Sequence, residues 1–253
     1  MSEKNFIFVL CPPFQGSTVI YRLLNTSPNA TTFLDKVAWM GEGHVLIRKN
    51  IHNNWRNNRW DPYFDINMSK VSDVYMENWD QTKKVFVEKS PTTICRAEKF
   101  EEEFSKLGNV HFIVQIRNPF TCRMPYRHPH IPKCIIQDKR NMITQCKVWN
   151  EYARIQKNNL ENLNNTYFLT YEKLCTETDS VIDELIEKFP FLGSLNKTKI
   201  NKGEYKKKFS QHYSGERGGN ISFKSSIRGN LEVKSDFFKR KSELLDYFNL
   251  EKP

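Results

Sequence analysis

The sequence has no apolar run of membrane length. Its first hydrophobic stretch, Phe6-Ile-Phe-Val-Leu10, is followed by Pro12 and Pro13. That is far short of the ~20 residues of a spanning helix, and too short for the core of a secretory signal. Nor is there a CxxC pair. The six cysteines, at positions 11, 95, 122, 134, 146 and 175, are widely spaced, which argues against a zinc or dithiol redox site and reads as free thiols in a reducing, cytoplasmic setting. Internal repeats, low-complexity tracts and DNA- or RNA-binding motifs are also missing, so repeat architectures are excluded and nothing marks a nucleic-acid binder beyond charge. The opening glycine turn lacks the length and the lysine of Gly-x-x-x-x-Gly-Lys-Ser/Thr, which argues against an ATP or GTP P-loop enzyme.

What is present points to a folded, anion-seeking domain. The chain has 253 residues, 38% hydrophobic and 13% aromatic, enough for one large domain with a real core over residues 1–253. Lys and Arg number 39 against 29 acids, a net charge of +10. Such a surplus favours nucleotides, sulfated or phosphorylated molecules, nucleic acid or an anionic membrane surface, or else serves solubility.

The hydrophobic pattern predicts strands that alternate with helices. Phe6–Cys11, Lys84–Val87, Val110–Ile116 and Tyr167–Thr170 read as short buried strands. Helices are expected over residues 17–25, 36–50, 92–107, 135–163, 180–189 and 233–250. Residues 53–68, with Trp55, Trp60, Tyr63 and Phe64 among Asn and Arg, read as a covering loop; residues 197–230, basic and Gly/Ser-rich, read as a loop or lid. The alternation implies an α/β, three-layer, P-loop-like fold: a central parallel sheet of four to five strands flanked by helices. Ligands in such sheets bind at the carboxyl ends of the strands.

One strand–turn–helix has the makings of a phosphate cradle. Pro13-Phe14-Gln15-Gly16-Ser17-Thr18 places a glycine and two hydroxyl residues at a helix start, where unpaired backbone N–H groups and the positive end of the helix dipole face outward. Ser and Thr are also ordinary helix caps, so the cradle is one of two readings of these residues alone.

Longer segments resemble the sulfotransferases that use 3′-phosphoadenosine 5′-phosphosulfate (PAPS). Pro12-Pro-Phe-Gln-Gly-Ser-Thr18, running into Ser27-Pro28-Asn29, is similar to the family's 5′-phosphosulfate loop. Val87-Glu-Lys-Ser-Pro91, Phe112-Ile-Val-Gln-Ile-Arg-Asn-Pro119, Trp149 and Phe168-Leu-Thr-Tyr-Glu-Lys-Leu174 follow in the family's order, over about residues 5–190. Trp39-Met-Gly-Glu-Gly-His44 looks like the tyrosylprotein and carbohydrate branch. The resemblance implies a sulfotransferase that moves a sulfuryl group from PAPS to a hydroxyl or amine, without a metal. It implies Glu42 as catalytic base, Lys89 as the stabiliser of negative charge, residues 14–18 (Phe14, Gln15, Gly16, Ser17, Thr18) on the 5′ side of the nucleotide, and Arg117 on its 3′-phosphate. An acceptor that is carbohydrate or otherwise anionic suits the Arg and Lys of the two long loops.

Two positions depart from the family. Phe14 stands where a loop Arg or Lys is usual, and Pro125 where a second 3′-phosphate ligand, a Ser, is usual; Arg123, Arg127 and Lys133 lie near the latter. The departures motivate an alternative, a non-catalytic relative that binds a nucleotide or sulfated ligand. His128 and His130 read as loop residues between prolines rather than metal ligands.

Overall fold

The computed structural model describes residues 3–33, 38, 41–52, 54–119, 142–197 and 243–250, without the side chains of 56 and 142–147. The expected strands at 110–116 and at the N-terminus form the middle of the sheet. β1 (Asn5–Leu10) leads to α1 (Ser17–Leu24), β2 (Ala30–Thr32), α2 (His44–Asn50), α3 (Trp55–Asn58) and α4 (Met68–Asn78). β3 (Val85–Glu88), a 3₁₀ turn Pro91–Cys95, α5 (Ala97–Phe104) and β4 (Asn109–Ile116) follow; α6 (Met142–Asn162), β5 (Thr166–Thr170), α7 (Tyr171–Thr176), α8 (Thr178–Lys188) and a 3₁₀ turn Pro190–Leu192 complete the order. The five strands are all parallel, in the order β2-β3-β1-β4-β5.

β1 is buried along its whole length, as a central parallel strand covered on both faces must be, and that is why it reads as an unbroken apolar run. Alternate residues serve opposite faces. Phe6, Phe8 and Leu10 pack with Phe86, Phe100, Phe104, Trp79 and Trp149. Ile7, Val9 and Cys11 pack with Ile20 and Leu24 of α1 and Val181 and Leu185 of α8. The first face is aromatic: Phe8 lies 5.1 Å from Phe100 and 5.0 Å from Phe104, centroid to centroid, edge to face. Such a buried ring is worth ~3–5 kcal/mol when truncated to alanine.

The strand order matters for the site. From β1 the chain moves first toward β3 and β2, and later to β4 and β5 on the other side. The direction reverses between β1 and β4, the position where doubly wound sheets open a ligand crevice.

Several expected boundaries move. The helix expected over 36–50 begins only at His44, because Gly41 takes a left-handed φ of +70° just ahead of it. The helix expected over 92–107 is a 3₁₀ turn and then α5, broken at Arg96 (φ −141°), whose buried side chain turns to the backbone of another segment. The covering loop of 53–68 contains α3, and its Trp55 is a core residue at 2% exposure. The strand β2 and the helix α4 were not foreseen. The helix expected over 135–163 is seen as α6 from Met142, and that over 233–250 is helical at 243–247. Residues 198–230, Pro125, Arg123, Arg127, Lys133, His128 and His130 lie outside the described residues. Among the described residues no helix is long and apolar enough to cross a membrane.

Candidate functional site

Because all strands run in parallel, the segments after β1, β3, β4 and β5 emerge at one edge of the sheet. After β1 the chain turns sharply. Gln15 N–H donates to the Pro12 carbonyl at 3.3 Å, and Gly16, left-handed at φ +97°, leads into α1 with no side-chain cap. Gly16 offers no side chain to cap the first turn of α1, whose Val19 N–H closes on the Gly16 carbonyl at 2.9 Å. A Cβ on Gly16 would stand 2.1 Å from Tyr171 Cδ2, so only glycine lets the turn pass beneath that ring.

Tyr171 also meets Arg117: the guanidinium carbon is 4.3 Å from the ring centroid. Gly16 and Arg117 thus share one aromatic neighbour. Gln15 ties them further. Its buried side-chain oxygen accepts from Arg117 N–H at 2.9 Å, and its backbone carbonyl accepts from Gln115 Nε2 at 2.7 Å. The Arg117 carbonyl in turn accepts from Trp149 Nε1 at 2.9 Å, and Asn118 N–H donates to Glu172 Oε1 at 3.1 Å. Gln156 Nε2 bridges the carbonyls of Leu10 and Gln115 at 2.6 and 2.9 Å. The edge between β1 and β4 is thereby fixed from α6 and α7.

Lys89, at 1% exposure, follows β3. Its Nζ donates to Glu42 Oε1 at 3.2 Å and lies 5.7 Å from the Tyr21 ring of α1. Burial holds the Cys11 thiol up to about 12, opposed in turn by Lys89, the Ser17 donors and Arg117. Lys89, Ser17 and Arg117 therefore converge on the end of β1. Ser17 is buried and Thr18 half-buried. Phe14 stands apart: it is 62% exposed, with a left-handed φ of +63°.

The turn that carries Glu42 is organised from β3. The buried Glu88 carboxylate accepts from Gly43 N–H at 3.1 Å, from Thr93 Oγ1 at 3.1 Å and from the Ser90 hydroxyl. Burial pushes Glu88 upward while these donors pull it down. His44 N–H donates to Ser90 Oγ at 2.9 Å. Glu88 thus builds the turn, and Glu42 presents its carboxylate beside Lys89.

The structure brings Gly16, Ser17, Lys89, Arg117 and Glu42 to one sheet edge, with Gln15 as a brace beneath them; Phe14 is exposed at its margin. Sequence reading held Glu88 as a fallback base, whereas its carboxylate is taken up by Gly43, Ser90 and Thr93; it gave Gln115, Gln156 and Tyr171 no individual role, and Trp149 only a place in the resemblance. A polar residue inside an apolar strand, such as Gln115 in Phe112–Ile116, is a readable sign of a tie to a neighbouring loop. The contacts of Trp149 and Gln156, on a helix distant in sequence, have no local sign.

No protein-family model matches the sequence, and no curated protein matches it. Among solved structures the chain is similar to a sulfotransferase from Alicyclobacillus acidocaldarius, with a TM-score of 0.56 and 13% identity over 100% of this chain and 98% of that one. It is also similar to the sulfotransferase domain from the curacin biosynthetic pathway, with a TM-score of 0.53 and 17% identity over 100% of both chains. At these identities the likeness is one of fold. The class is an α/β protein with a five-stranded parallel sheet, and its particular fold is that of sulfotransferases.

Proposed function

We propose that the chain is one sulfotransferase domain that moves a sulfuryl group from PAPS to a hydroxyl or amine of an anionic or carbohydrate acceptor. The observation that carries this reading is the convergence at one sheet edge of an uncapped helix N-terminus, a buried lysine paired with a half-buried glutamate, and an arginine held over Tyr171. This donor set fits a bisphosphorylated nucleotide: two separate cationic positions, one at the end of β3 and one at the end of β4, bracket the turn at Gly16.

PAPS, when bound, supplies the sulfuryl group and a stable bisphosphate leaving group. The residues of the chain do the rest. The N–H groups of the first turn of α1, with the Ser17 and Thr18 hydroxyls, hold the 5′ side. Arg117 makes charge-assisted contacts to the 3′-phosphate. Lys89 stabilises charge on the transferring and leaving oxygens, taking the place of the loop cation that Phe14 does not provide. Glu42 accepts the acceptor's proton as the new O–S or N–S bond forms and the bond to the 5′-phosphate breaks. In-line geometry is the main demand of such a transfer.

Transfer of [35S]sulfate from PAPS to a panel of carbohydrate, tyrosyl and small phenolic acceptors, beside calorimetric binding of 3′,5′-bisphosphoadenosine, tests the proposal. Binding together with transfer is expected. Glu42→Gln should lower transfer at least ~100-fold yet keep bisphosphoadenosine binding, since it frees Lys89 for the anion. Arg117→Ala should weaken binding ~10-fold or more. Absence of binding by the wild-type protein overturns the reading. The exposed Phe14 at the loop cation's position favours one second reading, a binding protein without transfer, and binding with no transfer to any acceptor selects it.

A further inference from the structure

Glu42 has a second neighbour that the reaction scheme leaves unexplained. One oxygen, Oε1, is 3.2 Å from Lys89 Nζ; the other, Oε2, is 3.2 Å from His44 Nδ1. His44 heads α2, with its backbone tied to Ser90. On the far side of the ring, Nε2 lies 3.4 Å from a terminal nitrogen of Arg59. Arginine has only donors, so Nε2 must accept, and a neutral imidazole then carries its one proton on Nδ1, facing Glu42. Arg59 is itself well placed. Its carbonyl accepts from Arg96 at 2.6 Å, and the Arg96 guanidinium carbon stacks 4.8 Å from the Trp55 ring.

The ring is neutral at ordinary pH. Burial, then Arg59, Lys89 and Arg48, push it down to about 3. Its Nδ1 is buried and makes no aligned hydrogen bond, although Glu42 Oε2 stands 3.2 Å away. A buried donor left in that state is destabilising here, and a state in which it is satisfied recovers that cost. The Glu42 carboxylate is turned toward Lys89, and the other state is one in which Lys89 is occupied elsewhere.

We propose that His44 is a positioning residue for Glu42: Arg59 fixes the ring proton on Nδ1, and that N–H takes over Oε2 when Lys89 is drawn to a bound anion. The proposal rests on the roles given above to Glu42 and Lys89. A small rotation of the carboxylate suffices, given the 3.2 Å separation. It leaves Oε1 open toward the acceptor's proton, with Glu42 held by a neutral donor that does not compete for that proton.

Long-range 1H–15N correlation spectra of 15N-histidine-labelled protein test the lock directly. The chain has six histidines, and the resonance missing from His44→Asn identifies this one. In the ligand-free protein, His44 should be neutral with its proton on Nδ1. Arg59→Met should release the proton to Nε2. Added 3′,5′-bisphosphoadenosine should shift the Nδ1 proton downfield. A wild-type proton on Nε2, or an imidazolium at neutral pH, overturns the lock. Bound nucleotide with an unmoved Nδ1 proton overturns the exchange of partners. If the nucleotide does not bind at all, the functional reading falls and the exchange with it, while the ligand-free tautomer still decides the lock.

Kinetics supply a second test. Asparagine places an amide donor near the Nδ1 position, and glutamine near the Nε2 position. His44→Gln should lose ~10-fold or more in kcat with KM for PAPS within ~2-fold, and His44→Asn should recover most of that loss. Equal losses in the two variants, at matched melting temperatures, overturn the positioning role.

Discussion

At Phe14 the backbone is left-handed, φ +63°, with the ring 62% exposed. A bulky residue there costs ~1–2 kcal/mol, and a ring that exposed recovers little of it by burial. Phe14→Gly should therefore raise stability by ~1 kcal/mol, read as a higher denaturation midpoint in urea. An unchanged or lower midpoint would mean that the ring packs against something that compensates for the strain. His44 gives a residue-scale prediction of opposite character. Its folded pKa is lowered from 6.5 to about 3, so as pH falls below ~6.5 the unfolded chain takes up a proton that the folded protein refuses. Its contribution is intact above that pH and lost below it. The difference in unfolding free energy between wild type and His44→Asn should shrink by ~2 kcal/mol from pH ~7 to ~5. Glu88, raised by burial, acts in the other direction as pH falls, but it is present in both proteins and cancels. A pH-independent difference would show that the folded ring titrates normally.

At the scale of elements, α7 and the turn before α1 define each other. The Tyr171 ring lies where a Cβ on Gly16 would be, 2.1 Å from it, and Gly16 has φ +97°. Gly16→Ala must either push α7 away or rotate the turn, so it should cost ~2–4 kcal/mol and abolish bisphosphoadenosine binding. Tyr171→Ala in the same background removes the clash but not the strained φ, and should restore part of the stability. Additive losses would show that the two do not meet. This coupling also explains how far the sequence could be read. The strand ends were legible because Phe6–Leu10 and Phe112–Ile116 are apolar runs closed by turn residues, and Gly16-Ser17-Thr18 announces a helix start. The three-residue β2 and the polar-rich α4 were not, because an edge strand that short shows no period and α4 buries only Val71, Ser72 and Tyr75. Glu42 and Lys89, named through family resemblance, are an ion pair, while Arg117 follows the strand on the other side of β1. The ties made by Trp149 and Gln156 were opaque, since a contact such as Gln156 to Leu10, 146 positions apart, exists only once the sheet has formed.

For the whole molecule, sheet order and charge act together. The strand order reverses between β1 and β4, where doubly wound sheets bind ligands, and the chain carries a net charge of +10. A cleft lined by cations with low-dielectric walls focuses that charge on an incoming anion and speeds its capture. The association rate of 3′,5′-bisphosphoadenosine, measured by stopped-flow fluorescence of the tryptophans, should fall several-fold between ~20 and ~200 mM salt, where the screening length drops to about 10 Å and below. On the proposed binding mode dissociation should change much less, because it would be governed by contacts to Lys89, Arg117 and the start of α1, which are partly or wholly withdrawn from water. Both effects depend on where the charge sits, and one variant separates them. Arg117→Gln should speed dissociation strongly while changing the salt slope by about one charge. An association rate indifferent to salt would mean that the +10 is spread away from the crevice and serves solubility alone. The site would then recognise its anion only at contact, through the turn of α1 and the two cations beside it.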